Sequence, residues 1–336
     1  MKKTPLRIAV IGAGRWGANI IRTLDSLPDC EVAYIVSLHK KTLDSVAHPT
    51  AKKVVGVEAL LQHSDIDAVC IATPGTTHAD IALKCIERHI PTFIEKPMTT
   101  SLADAKRIVA SAKKHNTPVF VGHIHLYNPA YNTLRMLVPK LGKLRFLIGE
   151  GCANGPYRPD MSALWDWAPH DIAMMLDLTQ ARPTSVQAWG IASLVPRSRL
   201  YDVVHIKLDF PHQVTGFITN SWLSPIKKKQ LTVIGEKSTV VFDDASPNKL
   251  TLSSNMGPGV RTKGSVAHIT RQEPVVSHPS YQPASSLTLE LEAFIASIQN
   301  GTPTKTDARE GLMVVAVLDA AERSIQKNGS PQKISV

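Results

Sequence analysis

Asp166 and His170 stand four residues apart in Trp165-Asp166-Trp167-Ala168-Pro169-His170-Asp171, and Lys96 closes an apolar run in Pro91-Thr92-Phe93-Ile94-Glu95-Lys96-Pro97. Oxidation of a secondary alcohol needs a base for the hydroxyl proton while hydride leaves the carbon. A histidine titrates in the right range for that work, and a carboxylate can orient it and stabilise its charged form. If the segment is helical, a spacing of four puts Asp166 and His170 on one face. An ammonium such as that of Lys96 stabilises negative charge developing on an oxygen. Taken alone, Asp166 and His170 also fit a helix-start carboxylate beside a satisfied histidine, so the elements around them must decide.

The chain opens with the elements such chemistry would require. Arg7 to Ile11 is a short apolar run of the kind that forms a central parallel strand. Gly12-Ala13-Gly14-Arg15-Trp16-Gly17 follows at once, and Ala18 to Leu27 has helical character. Strand, glycine turn and helix are the setting in which GxGxxG binds a dinucleotide. Gly12 permits the tight turn, Gly14 lets the backbone approach a pyrophosphate, and Gly17 lets the helix pack against the strand. The helix N-terminus supplies free N–H groups and the positive end of its dipole.

A second strand is expected over Glu31 to Val36. An acidic residue about 20 residues past the glycines commonly holds the ribose 2′-hydroxyl of NAD. Ser37 occupies that place, followed by Leu38, His39, Lys40 and Lys41. Without a carboxylate there is no repulsion against a 2′-phosphate, and the cations can pair with one, which favours NADP over NAD. The alternative is an exposed polar turn whose lysines meet only water. Ile66 to Ala72 reads as another buried strand. It leads into Thr73-Pro74-Gly75-Thr76-Thr77-His78 and a helix to about Arg88. Ligands of open α/β sheets bind at the carboxyl ends of the strands, so Thr73, Pro74 and His78 are candidates to wall the cofactor. His78 also fits a helix-start histidine bonded locally. Pro91 to Ile94 delivers Glu95 and Lys96 to the same rim. Ser101 and Asp104 open a helix to about His115, and Pro118 to Gly122 closes the sheet. This alternation indicates a doubly wound parallel sheet of the Rossmann type.

At 336 residues the chain is long for one core, so two domains are expected: 1–122 for the dinucleotide and 123–336 for substrate and oligomerisation. Hydrophobic residues make up 43% and charged residues 20%, as in ordinary globular proteins. No apolar run approaches the ~18 residues of a membrane span, and the first residues lack the pattern of a signal peptide. Cys30, Cys70, Cys85 and Cys152 are scattered and form no CxxC pair, which suits a reducing cytoplasm and gives no zinc site. No metal is expected, because the histidines and carboxylates lack ligand spacing. The net charge of +10 is spread along the chain without a nucleic-acid-binding signature. It therefore reads as a generally basic surface suited to anionic small ligands.

Gly12-Ala13-Gly14-Arg15-Trp16-Gly17, Ala72-Thr73-Pro74 with His78, Glu95-Lys96-Pro97 and Asp166-Trp167-Ala168-Pro169-His170-Asp171 occur in an order and spacing that resemble the glucose–fructose oxidoreductase, inositol dehydrogenase and rhizopine-catabolism (Gfo/Idh/MocA) family. The likeness covers nearly the whole chain and includes the stretch from Gly122 to Ala130. It implies a second α/β domain built on a large, mainly antiparallel sheet that commonly forms the interface of a homodimer or homotetramer. It also implies that Lys96 contacts the reacting oxygen, that His170 accepts or donates the proton, and that Asp166 belongs to the relay. Either Lys96 or His170 can take the proton, and His170 is preferred.

The later sequence agrees with such a domain. Leu144 to Gly149, Ser185 to Ala192, Asp202 to Phe210, Val214 to Trp222, Gln230 to Ile234 and Thr239 to Phe242 are strand-like. Helices are expected at Ala130 to Val138, Ala168 to Leu178, Leu287 to Gln299 and Glu310 to Lys327, the last near the domain junction. Asp244 to Pro283 reads as loop-rich with short strands. Tyr127, Asn128 and Arg158 are further substrate-binding candidates. Junction packing is the alternative for Tyr127, and a loop ion pair for Arg158. Asp171 adjoins His170 and takes a secondary place. The expectation is thus an NAD(P)-dependent oxidoreductase moving hydride between nicotinamide and a secondary alcohol of a sugar, cyclic polyol or nucleotide-linked amino sugar. The rival is a non-catalytic dinucleotide sensor of the same fold.

Overall fold

β-branched and apolar residues dominate the first strands because both faces of the sheet they form are covered. In the computed structural model, which describes residues 4–254, 259–263, 266–270 and 273–336, the chain begins β1 (Leu6–Ile11), α1 (Arg15–Asp25), β2 (Cys30–Ser37), α2 (Lys40–Ser45), β3 (Lys52–Val55), α3 (Val57–Leu60), β4 (Ala68–Ile71), α4 (His78–Ile86), β5 (Thr92–Glu95), α5 (Leu102–His115) and β6 (Val119–Gly122). These strands form a parallel sheet in the order β3-β2-β1-β4-β5-β6, the doubly wound arrangement of dinucleotide-binding domains. Every residue of β4, β5 and β6 is buried. The Ser101 side chain caps α5 by accepting the Asp104 N–H at 3.4 Å, and Asn116 ends it in the left-handed region. The turn after β2 holds α2, β3 and α3, short elements that carry too little periodicity to be read from sequence.

The second half continues with α6 (Pro129–Leu137), β7 (Leu144–Asn154), α7 (Ala163–Asp166), α8 (Ala168–Thr179), β8 (Ser185–Ile191), β9 (Val203–Asp209), β10 (Thr215–Ser221), β11 (Leu223–Gly235), β12 (Ser238–Asp243), β13 (Leu250–Ser254), β14 (Gly259–Lys263), β15 (Val266–Thr270) and β16 (Val276–Ser277). Eight strands form one sheet in the order β16-β13-β12-β11-β7-β10-β9-β8. Only β7 and β10 pair in parallel, and the other neighbours are antiparallel. β14 and β15 pair separately. The loop-rich stretch expected from Asp244 onward lies partly outside the described residues. The chain ends with α9 (Ser286–Asn300) and α10 (Ala308–Gln326). No helix among the described residues is long and apolar enough to cross a membrane.

The chain divides into two compact units. One comprises Met1–Tyr127, Ala284–Asp319 and Val336; the other comprises Asn128–Pro283 and Ala320–Ser335. This differs from the expectation of a second domain running without a break from residue 123. The reason lies at the edge of the first sheet. Val121 donates its N–H to the Thr306 carbonyl at 2.8 Å, and Phe120 bridges Asp307. From α9, Phe294 packs edge-on against Phe93 and Phe120, with ring centroids 5.7 and 5.6 Å apart. The returning chain therefore completes the core over β5 and β6.

Candidate functional site

In the first unit the glycine loop joins β1 to α1 under tight steric limits. Gly12 has φ +102°, and a Cβ there would lie 2.6 Å from the Ala72 carbonyl oxygen. A Cβ at Gly17 would fall 1.8 Å from the Gly12 oxygen. Only glycine fits either position. Gly14 differs, since a Cβ there would meet nothing within 4 Å, and no side chain caps α1 behind it. Open space over an uncapped helix N-terminus fits a pyrophosphate. Arg15 and Trp16 begin that helix. Ser37 ends β2, and its hydroxyl accepts the His39 N–H at 3.2 Å. Lys40 opens α2 beside it and is exposed.

The ends of β4 and β5 are tied together. Thr73 and Pro74 follow β4, and the buried His78 ring lies 2.8 Å from the Thr73 carbonyl and 2.9 Å from that of Pro97. His78 thus braces the two strand ends. Glu95, the last residue of β5, is 7% exposed. One of its oxygens accepts the indole N–H of Trp16, and the other accepts the backbone N–H of Lys96 at 3.2 Å. Burial still pushes this carboxyl up to about 7, against the opposing effects of Trp16, Lys96 and His123. Glu95 therefore links the glycine loop to the turn that carries Lys96.

In the second unit α7 ends at Asp166 and α8 begins at Ala168, with Trp167 between them. Asp166 and His170 thus flank a break and do not share one continuous helix. Pro169 at the start of α8 suits the break, since a proline there removes no helical hydrogen bond. Asp166 is buried, and Arg158 Nη1 lies 3.7 Å from it. The same guanidinium binds both oxygens of Asp160, at 3.1 and 2.9 Å. Arg158 is held in a loop ion pair that also faces Asp166. Asn128 caps α6: its side-chain oxygen accepts the Ala130 N–H at 3.0 Å, and its amide donates to Asp244 at 3.0 Å. Tyr127, in the first unit, is buried against Phe120, with its hydroxyl 3.0 Å from that of Thr306 and the Lys305 ammonium 4.3 Å over its ring. Tyr127 thus packs within the first unit, and Asn128 caps α6.

The burial of Asp171 and of Glu290 was not legible in the sequence. Asp171 lies against β7 above Gly149, where a Cβ would come within 2.8 Å of its carboxylate, and it accepts an Asn220 N–H at 2.9 Å. Burial pushes it up to about 7. The paired glycines at 149 and 151, on one face of a strand, were the available signal. Glu290, on α9, is fully buried and gave no local signal. His123, whose Nε2 lies 3.2 Å from Glu310, is buried as well. Among the described residues no group of three or more histidines, cysteines or carboxylates could hold a metal ion.

Comparison with known proteins agrees with this architecture. Residues 6–123 match the family model described as an oxidoreductase family NAD-binding Rossmann fold, and residues 156–334 match the C-terminal alpha/beta domain of the same family. Inositol 2-dehydrogenase 1 of Paenarthrobacter aurescens is 33% identical over 100% of this chain and 98% of its own. UDP-N-acetylglucosamine 3-dehydrogenase of Acidithiobacillus ferrooxidans is 28% identical over 57% of this chain and 60% of its own. A protein of solved structure from Magnetospirillum magnetotacticum superposes with a TM-score of 0.81 at 32% identity, over 95% of this chain and 100% of that one. Glycine loop, sheet order and both domain matches lead to one conclusion: the chain belongs to the Gfo/Idh/MocA family of oxidoreductases.

Proposed function

We propose that this oxidoreductase transfers hydride between a nicotinamide dinucleotide and a secondary alcohol of a cyclic polyol, sugar or nucleotide-linked sugar. The observation that carries the reading is the buried Glu95. It ties Trp16 of the glycine loop to the backbone of Lys96 and so fixes a lysine at the carboxyl end of a Rossmann strand. The bound dinucleotide supplies the hydride acceptor or donor. Gly12, Gly14, Arg15, Trp16 and Gly17 hold its pyrophosphate. Thr73, Pro74, His78, Glu95 and Lys96 wall the nicotinamide end. Lys96 stabilises negative charge on the reacting oxygen, and His170 accepts the hydroxyl proton. Asp166 orients His170, and Arg158 limits where Asp166 can turn.

The proposal extends to the cofactor and the assembly. Ser37 presents a hydroxyl where an NAD site commonly has a carboxylate, with His39 and Lys40 next to it, which favours NADP. A homodimer or homotetramer is supported by Phe146, Trp189 and Phe217, large apolar residues exposed on one face of the eight-stranded sheet. The four cysteines are free and buried, as a reducing compartment allows. The test is binding of NAD(H) and NADP(H), followed by turnover with inositols, aldoses and UDP-linked amino sugars. Reduced nicotinamide should form with at least one of them. Dinucleotide binding without turnover across the panel would instead favour a sensor.

A further inference from the structure

Glu290 is a buried carboxyl that the proposed reaction does not use. It sits one helical turn before Phe294, so both share the face of α9 that packs on the first sheet. Phe294 meets Phe93, and Glu95 lies two residues beyond Phe93, on the same face of β5. The aromatic contact thus seats the turn of α9 that carries Glu290 on the strand that ends in Glu95. Glu290 is 0% exposed, and neither of its oxygens meets a hydrogen-bond donor among the described residues. An ionised carboxylate there would lose its hydration with no hydrogen bond to replace it.

The two carboxyls differ in their surroundings. Glu95 receives the Trp16 and Lys96 N–H groups and feels the charges of Lys96 and His123. The charges of Glu95 and of the Lys305 ammonium act on Glu290 in opposite senses, and the Lys305 ammonium is engaged by the Leu126 carbonyl. The buried Cys70 thiol on β4 feels the charge of both carboxyls, and His123 is itself beside Glu310. Burial raises both carboxyls. Glu290 goes well above the ordinary carboxylate range because the charge of Glu95 adds to its burial.

We infer that Glu290 is a positioning residue: with Glu95 it forms a buried carboxyl pair that retains one proton, so that a single negative charge stands behind Lys96. The first proton leaves Glu95, where donors and cations stabilise the anion. The second stays on Glu290, because its loss would set two carboxylates side by side away from water. The pair titrates as a unit. Its bearing on Lys96 rests on the hydride-transfer reading, whereas the proton count does not.

Infrared spectroscopy of the full chain across pH tests the pair directly. Above pH 7.5 the wild type should keep a protonated buried carboxyl band. Glu290→Gln should remove that band, and Glu290→Met serves if the glutamine variant does not fold. In Glu95→Gln the band should titrate at least one pH unit lower, because the neighbouring charge is gone. Absence of the band in wild type, its persistence without Glu290, or an unmoved midpoint in Glu95→Gln would overturn the pair. The positioning role is read from the pH dependence of dinucleotide affinity. The wild type should weaken at alkaline pH as the second proton leaves, and Glu290→Gln should lack that limb. An identical alkaline limb in both would overturn the role. A protein that binds no dinucleotide at any pH would refute the cofactor reading and, with it, the positioning role, while the infrared result would still decide the proton pair.

Discussion

Each unit places a buried carboxyl next in sequence to a residue proposed to do chemistry: Glu95 before Lys96 in the first, Asp171 after His170 in the second. Burial pushes both up to about 7. In each case desolvation outweighs the hydrogen bonds that favour the anion. The difference lies in their company. Asp171 meets the neutral amide of Asn220, in a niche cleared by Gly149, and docks α8 onto the sheet. Glu95 stands among Trp16, Lys96, His123 and Glu290. The same physical shift therefore serves anchoring in one unit and charge placement in the other.

The largest effects should come from the reactive neighbours of these carboxyls. Lys96→Met should lower kcat by about 10²–10³-fold while dinucleotide binding persists, in line with loss of one transition-state donor. His170→Asn should cost about 10²–10⁴-fold and remove the base limb of the pH profile. Steady-state kinetics beside a fluorescence binding titration separates the two. Equal loss of binding and turnover in Lys96→Met would mean that the lysine only holds the cofactor.

Replacing the carboxyls themselves sharpens the contrast. Between the ordinary aspartate value of 3.8 and about 7, the folded chain holds a proton on Asp171 that the unfolded chain has released. Folding takes up that proton, so this contribution is fully present below 3.8 and declines as pH rises to about 7. Asp171→Asn removes the slope. Its stability relative to wild type should rise across that window by up to about 4 kcal/mol, at ~1.4 kcal/mol per unit, as read by urea unfolding at several pH values. Glu95→Gln should also flatten a slope, between 4.5 and about 7. Unlike Asp171→Asn, it should change dinucleotide affinity as well. An Asp171→Asn variant with impaired cofactor binding would erase the distinction.

How much of this was legible in the sequence follows from range. The strand, glycine turn and helix at residues 6–25 are local, and the chain carries their pattern in consecutive residues. The same holds for Ser101 capping α5 and for the Glu95-Lys96 corner. Glu290 was not legible, because its burial depends on α9 returning to β5 nearly 200 residues later in the chain. The capping role of Asn128 was not separable from a ligand role for a related reason: a polar residue before Pro129 suits either. The helix break at Trp167 was hidden by a spacing of four that suits a continuous helix.

Smaller effects test the glycine loop and the cofactor preference. Gly17→Ala has no room beside the Gly12 carbonyl and should destabilise the fold, as seen by thermal unfolding. Gly14→Ala has open space, so it should fold normally and lose only dinucleotide affinity. Equal destabilisation by both would remove the case for a pyrophosphate cradle. Ser37→Asp should shift preference toward NAD by about tenfold, on the order of 1.4 kcal/mol, in a competition titration.

The most direct measurement is the absorbance of reduced nicotinamide when the purified protein, with NAD or NADP, meets a panel of inositols, aldoses and UDP-linked amino sugars, run beside Lys96→Met. The account predicts that the signal appears with at least one secondary alcohol and falls at least a hundredfold in the variant, which still binds the dinucleotide. Undiminished turnover in Lys96→Met, or dinucleotide binding with no turnover on any member of the panel, would contradict it.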